Sequence, residues 1–305
     1  MINAACRTRF ASLIPFPLLT VMRVLSLLLC FALVAAAATT PGLFDYDQSA
    51  PLDLREVGVE QRGDVTVRDI TFVGVKDPIK AYLVTPAKPG PHAAILYVHW
   101  FGDPETTNRT QFLHEAVALA DCGVVSLLVD TMWAQRSWWK GRKPETDFAG
   151  GVRQVIELRR ALDLLLAQPG VDPARLAMVA HDFGAMFGAV AGAADRRPKA
   201  YVLLAPTPHL SDWYLFNVQP ASVEDYKKEL APLDPIRAVA SLAPAPVFYQ
   251  FASRDKYVPV PRPAELYDAT KARKLMATYE AEHDLTPPEV GADRIAWLTK
   301  ELGLR

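Results

Sequence analysis

The chain has 305 residues, half of them hydrophobic and 22% charged, with a formal net charge of −1. That composition supplies a sizeable apolar core and excludes a disordered or fibrous chain. The near balance of charge, with no Lys/Arg-rich run, leaves no electrostatic footprint for nucleic acid, so a small-molecule partner and a single α/β domain are expected.

In chain order, residues 1–38 come as a separate object. Arg7, Arg9 and Arg23 precede an apolar run over 24–38, broken only by Ser26, that closes on four alanines. Basic residues, then an apolar stretch, then small residues that suit signal peptidase form the pattern of an export signal, and Met22 offers an alternative start. The run is shorter than the ~20 residues a membrane span needs. The expected product is an exported protein, periplasmic or secreted, of residues 39–305 with no stable membrane contact. Removing the leader takes three arginines and no acids, so the formal charge moves from −1 to −4, and Cys6 and Cys30 leave with it. Cys122 then stands alone, no intrachain disulfide can form, and its place at a predicted helix end reads as packing.

The mature region alternates strand and helix patterns. Residues 55–60, 66–73 and 81–84 read as leading antiparallel strands, and 93–98 as the first core strand. A helix over 111–121, a strand over 124–129 and a helix over 147–167 follow. Strand 175–180, helix 184–194, strands 200–204, 247–251 and 275–279, and helix 292–301 complete the series. Such alternation predicts a mainly parallel sheet covered by helices on both faces, with its site at the carboxyl ends of the strands. Two aromatic insertions, 130–146 with Trp133, Trp138 and Trp139, and 206–243 with His209, Trp213, Tyr214, Phe216 and Tyr226, stand over that edge as short lids. Trp133, Tyr214 and Tyr226 are the expected pocket residues, the alternative being that these aromatics only cover the sheet edge.

Three motifs fall at strand ends. Ala180-His181-Asp182-Phe183-Gly184 joins a buried run to a small-residue helix, Asp255-x-x-Val258-Pro259 follows strand 247–251, and His283 follows strand 275–279. A small-x-nucleophile-x-Gly turn between strand and helix, then an acid, then a histidine, resembles the α/β-hydrolase superfamily. The stretch from Ile70 through Thr85-Pro86 to His99-Trp100-Phe101-Gly102 looks like the dienelactone hydrolase branch. An Asp at the elbow is similar to epoxide hydrolases and haloalkane dehalogenases.

The resemblance implies an α/β-hydrolase fold and an Asp182–His283–Asp255 triad. A carboxylate nucleophile suits displacement at a saturated carbon, giving an alkyl ester that His283, oriented by Asp255, hydrolyses with water. The oxyanion donors implied are the backbone N–H of Phe183 and one from the Trp100 or Phe101 turn. An epoxide or a carbon–halogen bond is the expected target. Phe183 stands where dehalogenases carry a halide-holding tryptophan, and the dienelactone hydrolase branch normally carries Cys or Ser at the elbow. A dienelactone hydrolase-like esterase therefore stays open. So does a non-catalytic scaffold in which Asp182 only caps its helix, a role Asp favours. None of Ser126, Ser137, Ser211, Ser222, Ser241 or Ser253 lies in such an elbow. His99 reads as a loop brace, His181 as pointing to the other side of its strand, and His114 and His209 as helix and lid residues. No histidine pair has metal-ligand spacing, so no metal and no cofactor are expected.

Overall fold

The computed structural model describes residues 42–102, 108–135 and 137–304; the leader read over 1–38 lies outside them. Among the described residues the strands are β1 (Arg55–Arg62), β2 (Val65–Val73), β3 (Pro78–Thr85), β4 (His92–Val98), β5 (Val124–Val129), β6 (Val171–His181), β7 (Ala200–Leu204), β8 (Val247–Ala252) and β9 (Lys274–Tyr279). They form one sheet in the order β1-β2-β3-β5-β4-β6-β7-β8-β9. The pairs β1–β2, β2–β3 and β3–β5 are antiparallel, and every pair from β5 to β9 is parallel.

The helices are α1 (Leu113–Ala120), α2 (Trp138–Gly141), α3 (Pro144–Leu166), α4 (Phe183–Ala194), α5 (Ser211–Tyr214), α6 (Val223–Leu230), α7 (Pro235–Ala238), α8 (Arg262–Ala269) and α9 (Pro288–Leu302). β4, β5 and β7 are buried at every residue, as parallel strands covered on both faces must be, whereas β2 at the antiparallel end alternates in burial. The chain passes from β4 to β5 on one side and then to β6 on the other. This reversal opens a crevice between the carboxyl ends of β4 and β6, where α/β sheets bind ligands.

Strands 124–129 and 200–204 lie where the sequence pattern puts them, and the other elements differ at their ends by a few residues. The helix expected over 147–167 starts earlier because Pro144 takes its first turn, where a missing N–H leaves nothing unpaired. Helix α8, flanked by prolines, and the short helices of the insertions carry too little periodicity to be read. Cys122 is exposed, so the packing role expected of it is corrected: it sits in the turn just beyond α1 rather than on its buried face.

Two features fix α4 and α9 against the sheet. A Cβ at Gly184 would stand 2.5 Å from Val98 O and 2.6 Å from His99 O, both backbone atoms. Only glycine lets the helix start this close to the end of β4. Gly184→Ala is therefore expected to shift α4 and lower stability by about 1–3 kcal/mol, the usual range for overpacking, checked by urea denaturation. On the other side, Arg294 of α9 donates from Nε and Nη2 to the Glu115 carboxylate and from Nη1 to Gln250 Oε1, all buried. No helix among the described residues is long and apolar enough to cross a membrane.

Candidate active site

Asp182 occupies the turn between β6 and α4 with φ 60° and ψ −122°, a left-handed conformation that L-residues rarely adopt. Its own N–H donates to Leu204 O at 2.8 Å, which holds the turn against β7. The side chain makes no capping bond to the helix. Instead the Phe101 N–H, just past the end of β4, donates to Oδ2 at 2.8 Å. The second oxygen, Oδ1, lies 3.9 Å from His283 Nε2, an electrostatic rather than a hydrogen-bonding separation. Burial pushes the carboxyl pKa up, opposed by His283 and by the N–H groups of Phe101 and Phe183, all of which favour the charged form.

His283 and Asp255 meet because the pairing of β8 with β9 continues past the strands. Ser253 N donates to Tyr279 O at 2.8 Å and Arg254 N to Ala281 O at 3.1 Å. His283 Nδ1 donates to Asp255 Oδ2 at 2.8 Å, while Asp255 Oδ1 accepts the N–H of Tyr257 at 2.8 Å and of Val258 at 3.0 Å. A carboxylate so held can only accept, so the Nδ1 proton is assigned and Nε2 faces Asp182. Burial alone would lower the His283 pKa, but the carboxylates of Asp182 and Asp255 outweigh it and raise the pKa to about 9.

A cavity of about 490 Å³ opens on this edge, lined by Asp182, His283, Trp100, Phe101, Gly102, Phe183, Trp139, Trp213, Phe216 and Tyr257. Apart from His283 no cationic side chain among the described residues lines it, and the wall is largely aromatic. The pocket walls expected at Trp133, Tyr214 and Tyr226 are corrected. Trp133 is buried behind Phe183 and Phe187 with its Nε1–H on His99 O at 3.2 Å. Tyr214 is buried under the Arg142 guanidinium, 3.6 Å from its ring centroid. Tyr226 donates its hydroxyl to Asp147 Oδ2. Their bulk supports the pocket from behind, and Trp139, Trp213, Phe216 and Tyr257 face it.

Of the two oxyanion donors offered by the β4 turn, the structure places Phe101 at Asp182; the Trp100 N–H is committed to Gln111 Oε1 at 2.9 Å. Sequence reasoning missed Tyr257, whose ring packs edge-on to His283 with centroids 5.1 Å apart. Its place inside the Asp255 turn was the available signal. His181 does not point away from the site: its ring lies 5.4 Å from that of His283. His99 is buried between Trp100 O at 2.7 Å and Thr131 Oγ1 at 3.0 Å. His209 pairs with Asp234 at 2.9 Å in the second insertion, and His114 lies exposed on α1.

No family model matches the chain, and no curated protein matches it. Among solved structures it is similar to an acetyl xylan esterase from Paenibacillus sp. R4, with TM-score 0.68, 18% identity and coverage of 82% of this chain and 89% of that one. Acetyl xylan esterase 1 from Thermoanaerobacterium sp. JW/SL YS485 gives TM-score 0.69 at 14% identity, covering 85% and 90% of the two chains. A candidate dienelactone hydrolase from Klebsiella pneumoniae subsp. pneumoniae MGH 78578 gives TM-score 0.59 at 15% identity, covering 79% and 99%. Together with the sheet order, these likenesses show an α/β-hydrolase fold.

Proposed function

We propose that this protein is an exported α/β-fold hydrolase that opens a neutral, largely apolar substrate at a saturated carbon through an ester on Asp182. The carrying observation is the division of labour within one carboxylate: Oδ2 accepts from the Phe101 N–H while Oδ1 faces His283. A carboxylate held this way presents one oxygen to a substrate in the pocket and keeps the other where negative charge will develop later. Oδ1 attacks carbon, the carbon–oxygen bond of an epoxide or a carbon–halogen bond breaks, and the leaving atom takes the electron pair. For an epoxide, the Tyr257 hydroxyl supplies the proton to the opening ring; Trp213 has already committed its Nε1–H to Tyr257 O at 2.9 Å, and Phe183 has no N–H on its side chain.

In the second half, His283 Nε2 removes a proton from water, and the hydroxide oxygen bonds to the Asp182 carboxyl carbon. The oxyanion on Oδ2 is held by the Phe101 and Phe183 N–H groups. The ester bond then breaks, the product alcohol takes the proton from His283, and Asp182, carrying one oxygen from water, gives up its remaining proton to the Tyr257 phenolate after an epoxide or to solvent after a halide. The absence of a lysine or arginine among the described wall residues weighs against carboxylate or phosphate substrates, whose charge would be buried unpaired. Export rests on the basic and apolar pattern over 1–38. The decisive experiment is trapping of the ester in His283→Gln protein.

In the resting protein His283 titrates near 9 because two carboxylates face it. Esterification neutralises Asp182 and withdraws one of them, so the imidazole becomes available as a base at lower pH, when water must be activated. Asp182→Asn imitates that neutral state and is expected to lower the His283 titration midpoint by at least one unit, read from histidine ¹⁵N shifts. The same raised pKa stabilises the fold. The contribution is complete below the ordinary histidine pKa of about 6.5 and is lost as pH rises through about 9.

A further inference from the structure

Behind the proposed reacting groups lies a chain of hydrogen bonds whose direction is fully determined. The Trp100 backbone N–H can only donate, and it donates to Gln111 Oε1 at 2.9 Å. This orients the Gln111 amide, so its Nε2 donates to His181 Nδ1 at 2.7 Å. His181 Nδ1 must then be bare, and its proton sits on Nε2, which donates to the His283 backbone carbonyl at 3.0 Å. The His181 ring is wholly buried and stacks on Trp100, centroids 5.3 Å apart and planes 5° apart.

We infer that Gln111 and His181 form a positioning relay that sets the oxyanion turn, where Phe101 follows Trp100, at a fixed distance from the loop carrying His283. It rests on the reading of Asp182 and His283 as reacting groups. Neither relay residue lines the cavity or meets substrate; both act through the groups they hold. The relay requires a neutral His181, since a proton on Nδ1 would set two donors against each other at Gln111. The groups facing His181 are His283 and, at longer range, Arg294, itself paired with Glu115 at 2.5 Å. Those facing His283 are Asp182, Asp255, Tyr257 and His181.

Histidine ¹⁵N spectroscopy on the whole protein tests the relay without substrate. In the unmodified protein His181 is expected as the neutral Nε2–H tautomer; an Nδ1–H tautomer overturns the proposal. Gln111→Glu keeps an acceptor for Trp100 and offers a carboxylate to His181 Nδ1, which then takes a second proton. A cation beside His283 should lower its titration midpoint by roughly one unit, and unchanged spectra for both histidines overturn the relay. Gln111→Leu removes both links. It is expected to slow breakdown of the Asp182 ester about tenfold while ester formation stays near its normal rate, because only the second half uses the oxyanion donors. A lower melting temperature with normal ester breakdown means packing alone and overturns the relay. Failure to trap any ester in His283→Gln protein sinks the proposed reaction instead, leaving the tautomer result to stand on its own.

Discussion

His283→Gln protein incubated with a panel of neutral epoxides and alkyl halides is expected to gain the mass of one bound alkyl group, mapped to Asp182. The reason is the asymmetry between the two halves. Attack by a carboxylate needs no base, since the nucleophile is already deprotonated, whereas water must lose a proton to attack the ester. Removing a positioned base slows such a step by about 10²–10⁴-fold, so the ester accumulates. The gained mass identifies the substrate class, because an epoxide adds whole and a halide adds without its halogen. In a single turnover of unmodified protein in ¹⁸O-water, the label should appear in Asp182, since the hydroxide bonds to the carboxyl carbon of the ester. Asp182→Asn should show no adduct and at least a 10³-fold loss of turnover. A folded His283→Gln protein that stays unmodified across the panel, or carries its adduct elsewhere, would falsify the carboxylate mechanism.

The course of the chain to this site was legible in the sequence for a physical reason. A buried strand, a tight turn and a helix that carries Gly184 and Ala185 in its first turn leave Asp182 no position except the sheet edge, and strand ends deliver Asp255 and His283 to the same edge. Which aromatics face the cavity was not legible. The direction of Trp138, Trp139 and Tyr214 depends on an arginine that meets its partners only after folding, 72 to 84 residues away along the chain for Tyr214, Asn217 and Tyr226. His181 shows another limit of local rules. Alternation along a strand holds within the pleat, but His181 is the last residue of β6, where the turn at Asp182 redirects the chain and the ring stacks on Trp100.

That same arginine sets the second large expectation. Arg142 donates from Nε and Nη2 to the two Asp147 oxygens at 3.0 and 2.7 Å, and from Nη1 to Asn217 Oδ1 at 2.8 Å. It lies over the Tyr214 ring, with the pair's side chains only 2% and 5% exposed. It therefore joins the first insertion to the second behind Phe183, and a bidentate, desolvated contact of this kind cannot be matched by lysine. Arg142→Leu leaves the Asp147 carboxylate buried with only the Tyr226 hydroxyl, and is expected to cost about 3–5 kcal/mol in urea denaturation. Arg142→Leu combined with Asp147→Leu removes the stranded charge and should recover much of that loss, since an apolar pair can replace a buried ion pair. The insertions would then remain packed but less closely specified. KM should rise in the double variant as the Trp139 and Phe216 walls lose their common anchor, with kcat changed less because Asp182, His283 and Asp255 hang from the sheet. A double variant as unstable as the single one would mean that the shape of the arginine, and not the pairing of its charge, holds the lid.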